Sequence, residues 1–152
     1  AIGAKNIDYG FAGDVDEVNA AAIQSMLQQN VSLVFSPITH DAKGLLLNTN
    51  ADTIAQEIAK AMSALYDVSL IYCFEKPGVL RDATDDSTVI SSINKSTFTD
   101  LKDKNIIADG MIPKLDNAFA ALDAGVKVVS IGQANELQKL IRQQAGTSII
   151  HE

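Results

Sequence analysis

An α/β fold, a three-layer sandwich with helices on both faces of a mainly parallel open sheet, is predicted by three features of this sequence. Apolar runs of strand length alternate with stretches whose apolar residues recur at helical spacing, and strands separated by helices favour parallel pairing with both faces covered. Proline and glycine punctuate the junctions between these stretches. With 152 residues, 47% hydrophobic and 20% charged, the chain has enough apolar material for a substantial core, and residues 1–152 are read as one domain without internal repeat or linker.

Along the chain, residues 9–15 contain Gly10 and Gly13 and read as a glycine-bent loop or hairpin. Residues 23–29 close a helix, and the apolar run 31–36 is expected to form a strand that stops at Pro37. A short strand at 45–47 leads into the clearest helix, where Ile54, Ile58, Ala61, Met62 and Leu65 form one apolar stripe. The next strand, 68–74, ends in the turn-forming Glu75-Lys76-Pro77-Gly78, and the polar residues 81–87 make an exposed loop. Helices follow at 95–104 and at 115–124, the latter ended by Gly125. A strand at 126–131, a helix at 133–144 and a strand at 147–150 complete the pattern. Ligands of such sheets lie beyond the carboxyl ends of the strands, which directs attention to the segments after 45–47 and 68–74.

Composition narrows the function classes. A formal charge of −7 and a pI near 4.7, with no dense run of lysines, argue against a nucleic-acid partner. No apolar run reaches membrane-spanning length and no signal-peptide pattern opens the chain, so a cytoplasmic protein with no membrane partner is expected; Ala1 in place of an initiator methionine reads as a processed or excised piece. The single cysteine, Cys73, lies in an apolar run and is expected to be a buried strand residue rather than a nucleophile. His40 and His151 are the only histidines, so no metal site is expected, and His40 reads as a hydrogen-bonded loop residue.

The most informative stretch is Ile106 to Lys114. Proline is favoured in a helix's first turn, and Leu115, Ala118, Phe119 and Leu122 follow Pro113 at helical spacing, which puts Lys114 in that turn. The amino end of a helix is already electropositive, so Asp or Glu would be the ordinary choice there. Two readings remain open: a solvated surface lysine, or a cation that joins the free amides in holding phosphate or a developing oxyanion, with Gly110 permitting close approach. Similar ambiguity surrounds Asn48-Thr49-Asn50-Ala51-Asp52 at the start of the clearest helix. Asn50 or Asp52 caps that helix, or the cluster presents amides to a substrate and a carboxylate that orients a lysine. Neither a G-x-x-x-x-G-K-[ST] loop nor a G-x-G-x-x-G turn is present.

Together, Asn48-Thr49-Asn50-Ala51-Asp52, Glu75-Lys76-Pro77-Gly78-Val79-Leu80 and Ile107-Ala108-Asp109-Gly110-Met111-Ile112-Pro113-Lys114, in this order and with the closing Gly146-Thr147, resemble the carboxyl-terminal, nucleotide-binding part of the acetylglutamate kinases of the amino acid kinase family. The resemblance implies the amino acid kinase fold and phosphorylation of the side-chain carboxylate of N-acetyl-L-glutamate by ATP with Mg2+, a step of arginine biosynthesis. It implies that Lys114 stabilises the transition state, that Asp52 organises the catalytic lysines, and that Asn48 and Asn50 bind the acylated amino acid. Glu75, Lys76, Pro77, Gly78, Val79 and Leu80, with Ile106, Ile107 and Ala108, match the nucleotide-contacting segments, although the family commonly has aspartate where Glu75 stands. No segment here matches the family's early lysine motif or its substrate arginine, so the chain reads as the nucleotide-binding portion of an enzyme expected to be a homo-oligomer at full length. The alternatives are a noncatalytic nucleotide-binding or regulatory module of this fold, and another family member acting on a different acid or on carbamate.

Overall fold

A computed structural model describes residues 9–107 and 109–151. The chain divides into two compact units, residues 1–54 and 55–152.

In the first unit, α1 (Ala20–Leu27) opens at Asn19, whose Oδ1 accepts from the Ala22 amide at 3.0 Å. Two short strands, β1 (Ile38–His40) and β2 (Leu46–Asn48), pair antiparallel with Thr39 opposite Leu47. Between them the Asp41 carboxylate accepts from the amides of Lys43 and Leu45, which closes the turn and holds its carboxyl below the usual carboxylate range. His40 is hydrogen-bonded as expected, its Nδ1 accepting from the Ala42 amide at 3.0 Å. The expected strand at 31–36 does not form. Those residues pair with no neighbouring strand among the described residues, and Val34 is 96% exposed. Apolar composition marks a segment for burial, whereas a strand also needs a ladder partner. Pro37 consequently precedes the strand rather than ending one.

Helix α2 (Ala51–Ser63) begins in the first unit and runs into the second. Its buried residues are Gln56, Ala59 and Met62, so of the expected stripe only Met62 is fully covered and Leu65 lies beyond the helix, exposed.

The second unit is built on a four-stranded sheet in the order β3-β5-β6-β4, formed by β3 (Ser69–Phe74), β4 (Ser92–Ile93), β5 (Val128–Gln133) and β6 (Thr147–Ile149). Two of its three pairings are parallel, β3 with β5 and β4 with β6, and β5 with β6 is antiparallel. The fold is therefore α/β with a mixed, mostly parallel open sheet. Leu70, Tyr72, Val129, Ile131 and Ile149 point to one core, shared with Ala59 and with α3 (Lys95–Asp103) and α4 (Ile112–Asp123). The Phe98 and Phe119 rings of those two helices lie 5.5 Å apart. On the opposite face the short α5 (Leu137–Ile141) buries Leu140 where Gly132 and Gly146 leave room. The 133–144 helix of the sequence reading is thus reduced: Gln133 ends β5, a single 3-10 turn spans Ala134–Glu136, and Gln143 at φ 55° closes the segment.

Cys73 corrects another expectation. It is exposed, because β3 is an edge strand and its Leu70–Tyr72 face alone meets the main core. A continuous apolar run is buried on both faces only where other elements cover both, and the face that carries Cys73 is left open.

Candidate functional site

At the carboxyl end of β3 the chain enters a cleft of about 320 Å3, lined by Phe74, Glu75, Lys76, Gly78, Val79, Leu80, Ala83, Ile106, Ile107, Gly110, Met111 and Lys114. Residues 74–83 form one wall, and the approach to α4 forms the other. The first wall is fixed by pairing at several points. Val79 accepts from the Ile90 amide at 2.8 Å, Leu80 bridges Val89, and the Arg81 amide donates to Thr88 at 3.0 Å. Beyond them Asp82 accepts from the hydroxyl and amide of Thr84, and Asp85 from those of Ser87; both carboxyls are thereby held below the usual carboxylate range. Lys76 reaches Asp86 at 2.9 Å across the base of this loop.

Opposite, α4 starts with Pro113 in its first turn, with no side-chain cap and no acidic residue in that turn. Lys114 occupies the same turn and lines the cleft, and its ammonium stands 5.5 Å from the centroid of the Tyr72 ring, a cation–π contact. The space above Gly110 is open, since a Cβ built there meets nothing within 4 Å. An apolar slot that ends at a lysine in the first turn of a helix with no side-chain cap is chemically suited to a flat apolar group joined to an anion.

Of the residues read from sequence, Glu75, Lys76, Gly78, Val79, Leu80, Ile106, Ile107 and Lys114 line this one cleft, Pro77 sits within the wall without lining it, and Ala108 lies outside the described residues. The remaining three belong to the first unit. Asn50 caps α2: its Oδ1 accepts from the amides of Asp52 at 2.8 Å and Thr53 at 3.3 Å, which leaves only the N–H donors of its amide for a ligand. Asp52 is the acidic residue of that first turn rather than its cap. Asn48 ends β2 with its backbone held on both sides, its amide donating to Phe11 at 2.7 Å and its carbonyl accepting from Gly13 at 3.0 Å.

Sequence reasoning missed Phe74, Ala83 and Met111 as lining residues and gave no role to Thr147 and Gln133. Thr147 entered only within the closing Gly146-Thr147 of the resemblance, with no role attached to its hydroxyl. Gln133 carried no signal, having been read as the start of a helix.

The amino acid kinase family profile matches residues 1–133. Acetylglutamate kinase of Phocaeicola vulgatus is 51% identical over 145 residues, covering 95% of this chain and 55% of that protein. The chain thus spans about half the length of the curated relatives it matches. Among solved structures, N-acetylglutamate synthase from Neisseria gonorrhoeae, complexed with coenzyme A and L-arginine, matches with a TM-score of 0.79 and 25% identity over 98% of this chain and 34% of that one. Carbamate kinase from Giardia lamblia, bound to AMP-PNP, matches with a TM-score of 0.69 over 91% of this chain and 51% of that one; at 17% identity this is a likeness of fold.

Proposed function

The chain belongs to the amino acid kinase family, and from that premise we propose that it is the nucleotide-binding portion of an acetylglutamate kinase, which phosphorylates the side-chain carboxylate of N-acetyl-L-glutamate with ATP in the cytoplasm, a step of arginine biosynthesis. The observation that carries the reading is the convergence of Glu75, Lys76, Gly78, Val79, Leu80, Ile106, Ile107 and Lys114 on one apolar cleft at the amino end of α4. The identity of about half to curated acetylglutamate kinases supports it over the carbamate alternative.

In this reading the adenine ring lies between the Gly78–Leu80 wall and Ile106–Ile107, and the phosphates extend toward the start of α4. Phosphoryl transfer asks the protein mainly for positioning and for cations where charge develops. Lys114 supplies such a cation, and its contact with Tyr72 restricts the positions it samples. Asp52 orients an ammonium of the catalytic set, while Asn48 and the amide donors of Asn50 hold the acylated amino acid. Among the described residues no group of three or more His, Cys, Asp or Glu side chains is arranged for a metal, so magnesium would arrive on the phosphate oxygens.

Titration calorimetry of the chain with ATP and magnesium tests the nucleotide half of the proposal. Saturable binding at millimolar or lower concentration is expected, and N-acetylglutamate alone should leave the cleft residues unshifted in an amide spectrum. Absence of any heat or amide shift at millimolar nucleotide would falsify it.

A further inference from the structure

We propose that Thr147 is a positioning residue for the cleft: its buried hydroxyl sets the backbone of the Gly78–Leu80 wall. The inference rests on the nucleotide reading above. Thr147 is 0% exposed, and its Oγ1 accepts from the Val79 amide at 2.8 Å, across 68 residues of sequence. Val79 is itself 2% exposed, so that amide has no water to fall back on. Its carbonyl is also engaged, accepting from Ile90. Both polar backbone groups at this point of the wall are therefore satisfied, one of them by a side chain alone.

The surrounding packing has been shaped to the hydroxyl. A Cβ on Gly78 would come within 2.8 Å of Thr147 Oγ1 and 2.8 Å of the Val89 side chain, so the residue before Val79 is one with no side chain. A Cβ on Gly132 would lie 3.2 Å from the Pro77 carbonyl, so the strand beside the wall is also stripped there. At the other end of the segment, Gln133 Nε2 donates to the Glu75 carbonyl at 2.7 Å. Thr147 stands opposite Ile131 in the antiparallel β5–β6 pairing, two residues before Gln133 on β5. One strand pair thus grips the wall at both ends, at Glu75 through an amide and at Val79 through a hydroxyl. Gln133 is only half-buried and water can replace it, whereas nothing can replace Thr147 without entering the core.

Thr147→Val keeps the shape and removes the acceptor. Its nucleotide dissociation constant should rise about tenfold, and the Val79 amide should exchange with solvent faster while those of Val129 and Ile131 stay protected. Thr147→Ser, which keeps the oxygen and loses a methyl, should restore most of the binding and the Val79 protection. Gly78→Ala, which presses the wall away from the hydroxyl, should weaken nucleotide binding even if Thr147→Val does not fold. A wild-type chain that binds no nucleotide overturns the nucleotide reading. A wild-type chain that binds, with Thr147→Val or Gly78→Ala binding equally well, overturns this inference alone.

Discussion

At the scale of single residues, the sequence marks a candidate where a side chain contradicts its local surroundings. Lys114 contradicts the dipole of α4, and the structure gives it an aromatic face and a cleft rather than open solvent. On the proposed function, Lys114→Met in a full-length acetylglutamate kinase carrying this segment should lower kcat by about two orders of magnitude or more, with a much smaller change in the KM for ATP, because the ammonium would meet charge that grows during transfer. Steady-state kinetics on the folded variant check this, and near-normal kcat would remove Lys114 from the catalytic set. Asp52 poses the opposite case. Since Asn50 supplies the cap, Asp52→Asn leaves the cap in place and removes a first-turn charge, a contribution of about 1 kcal/mol that corresponds to a melting-temperature shift of about 4 °C or less. A collapse of activity with that small shift separates the orienting carboxylate from a structural one, whereas unchanged activity leaves Asp52 structural. Thr147 was illegible for a physical reason: its partner is 68 residues away, and no local pattern encodes such a bond.

Elements were readable to the extent that their signals were local. Asn94 capping α3, Pro113 opening α4 and Gly125 at φ 100° closing it are short-range devices, and the helices stand where those residues put them. Strands fared unevenly, because a strand is completed by its neighbour. The two-residue β4 left no periodic trace, and the apolar 31–36 run left a false one. The loop from Asp82 to Thr88 looked merely polar, yet two of its three aspartates, Asp82 and Asp85, each fold a turn around a hydroxyl residue. Those bonds predict an acid response. Both carboxyls titrate lower in the folded chain than in the unfolded one, so their contribution is complete above the ordinary Asp value and is lost as pH falls through the lowered folded values. Replacing both with asparagine keeps an acceptor oxygen and removes the titration. Thermal melts taken from pH 5 downward should show a flatter acid limb for Asp82→Asn/Asp85→Asn than for wild type, and superimposable limbs would show that the loop's carboxylates carry no folding linkage.

For the whole molecule, the governing fact is how unequally burial is distributed between the two units. Residues 55–152 contain the core around Leu115, Val129 and Ile131, each fully buried, whereas among the described residues of the first unit only Ile23 and Thr49 are buried. That unit instead exposes Tyr9, Phe11, Val34, Ile38 and Leu46, the last four of them at 70%, 96%, 51% and 63%. A two-stranded ribbon with only Thr39 and Leu47 half-covered is marginal by itself, so its amides should exchange well before those of β3 and β5. Apolar surface of this kind attracts a partner, and sedimentation should show self-association that increases with concentration and is reduced by Val34→Lys. Catalysis is subject to the same imbalance. Asn48, Asn50 and Asp52, the residues proposed to hold and orient the acceptor, all lie in the poorly covered unit, and no segment of this sequence matches the further lysine and the substrate arginine that the resemblance implies. Since transfer requires both reactants held in line and the spreading charge neutralised, this chain should bind ATP with magnesium yet release no ADP above background when N-acetylglutamate is added. A coupled ADP assay run beside the calorimetry decides the matter on one sample: acylglutamate-dependent release from these 152 residues would mean that the segments described here suffice for catalysis, and the roles given to the missing cations would have to be withdrawn.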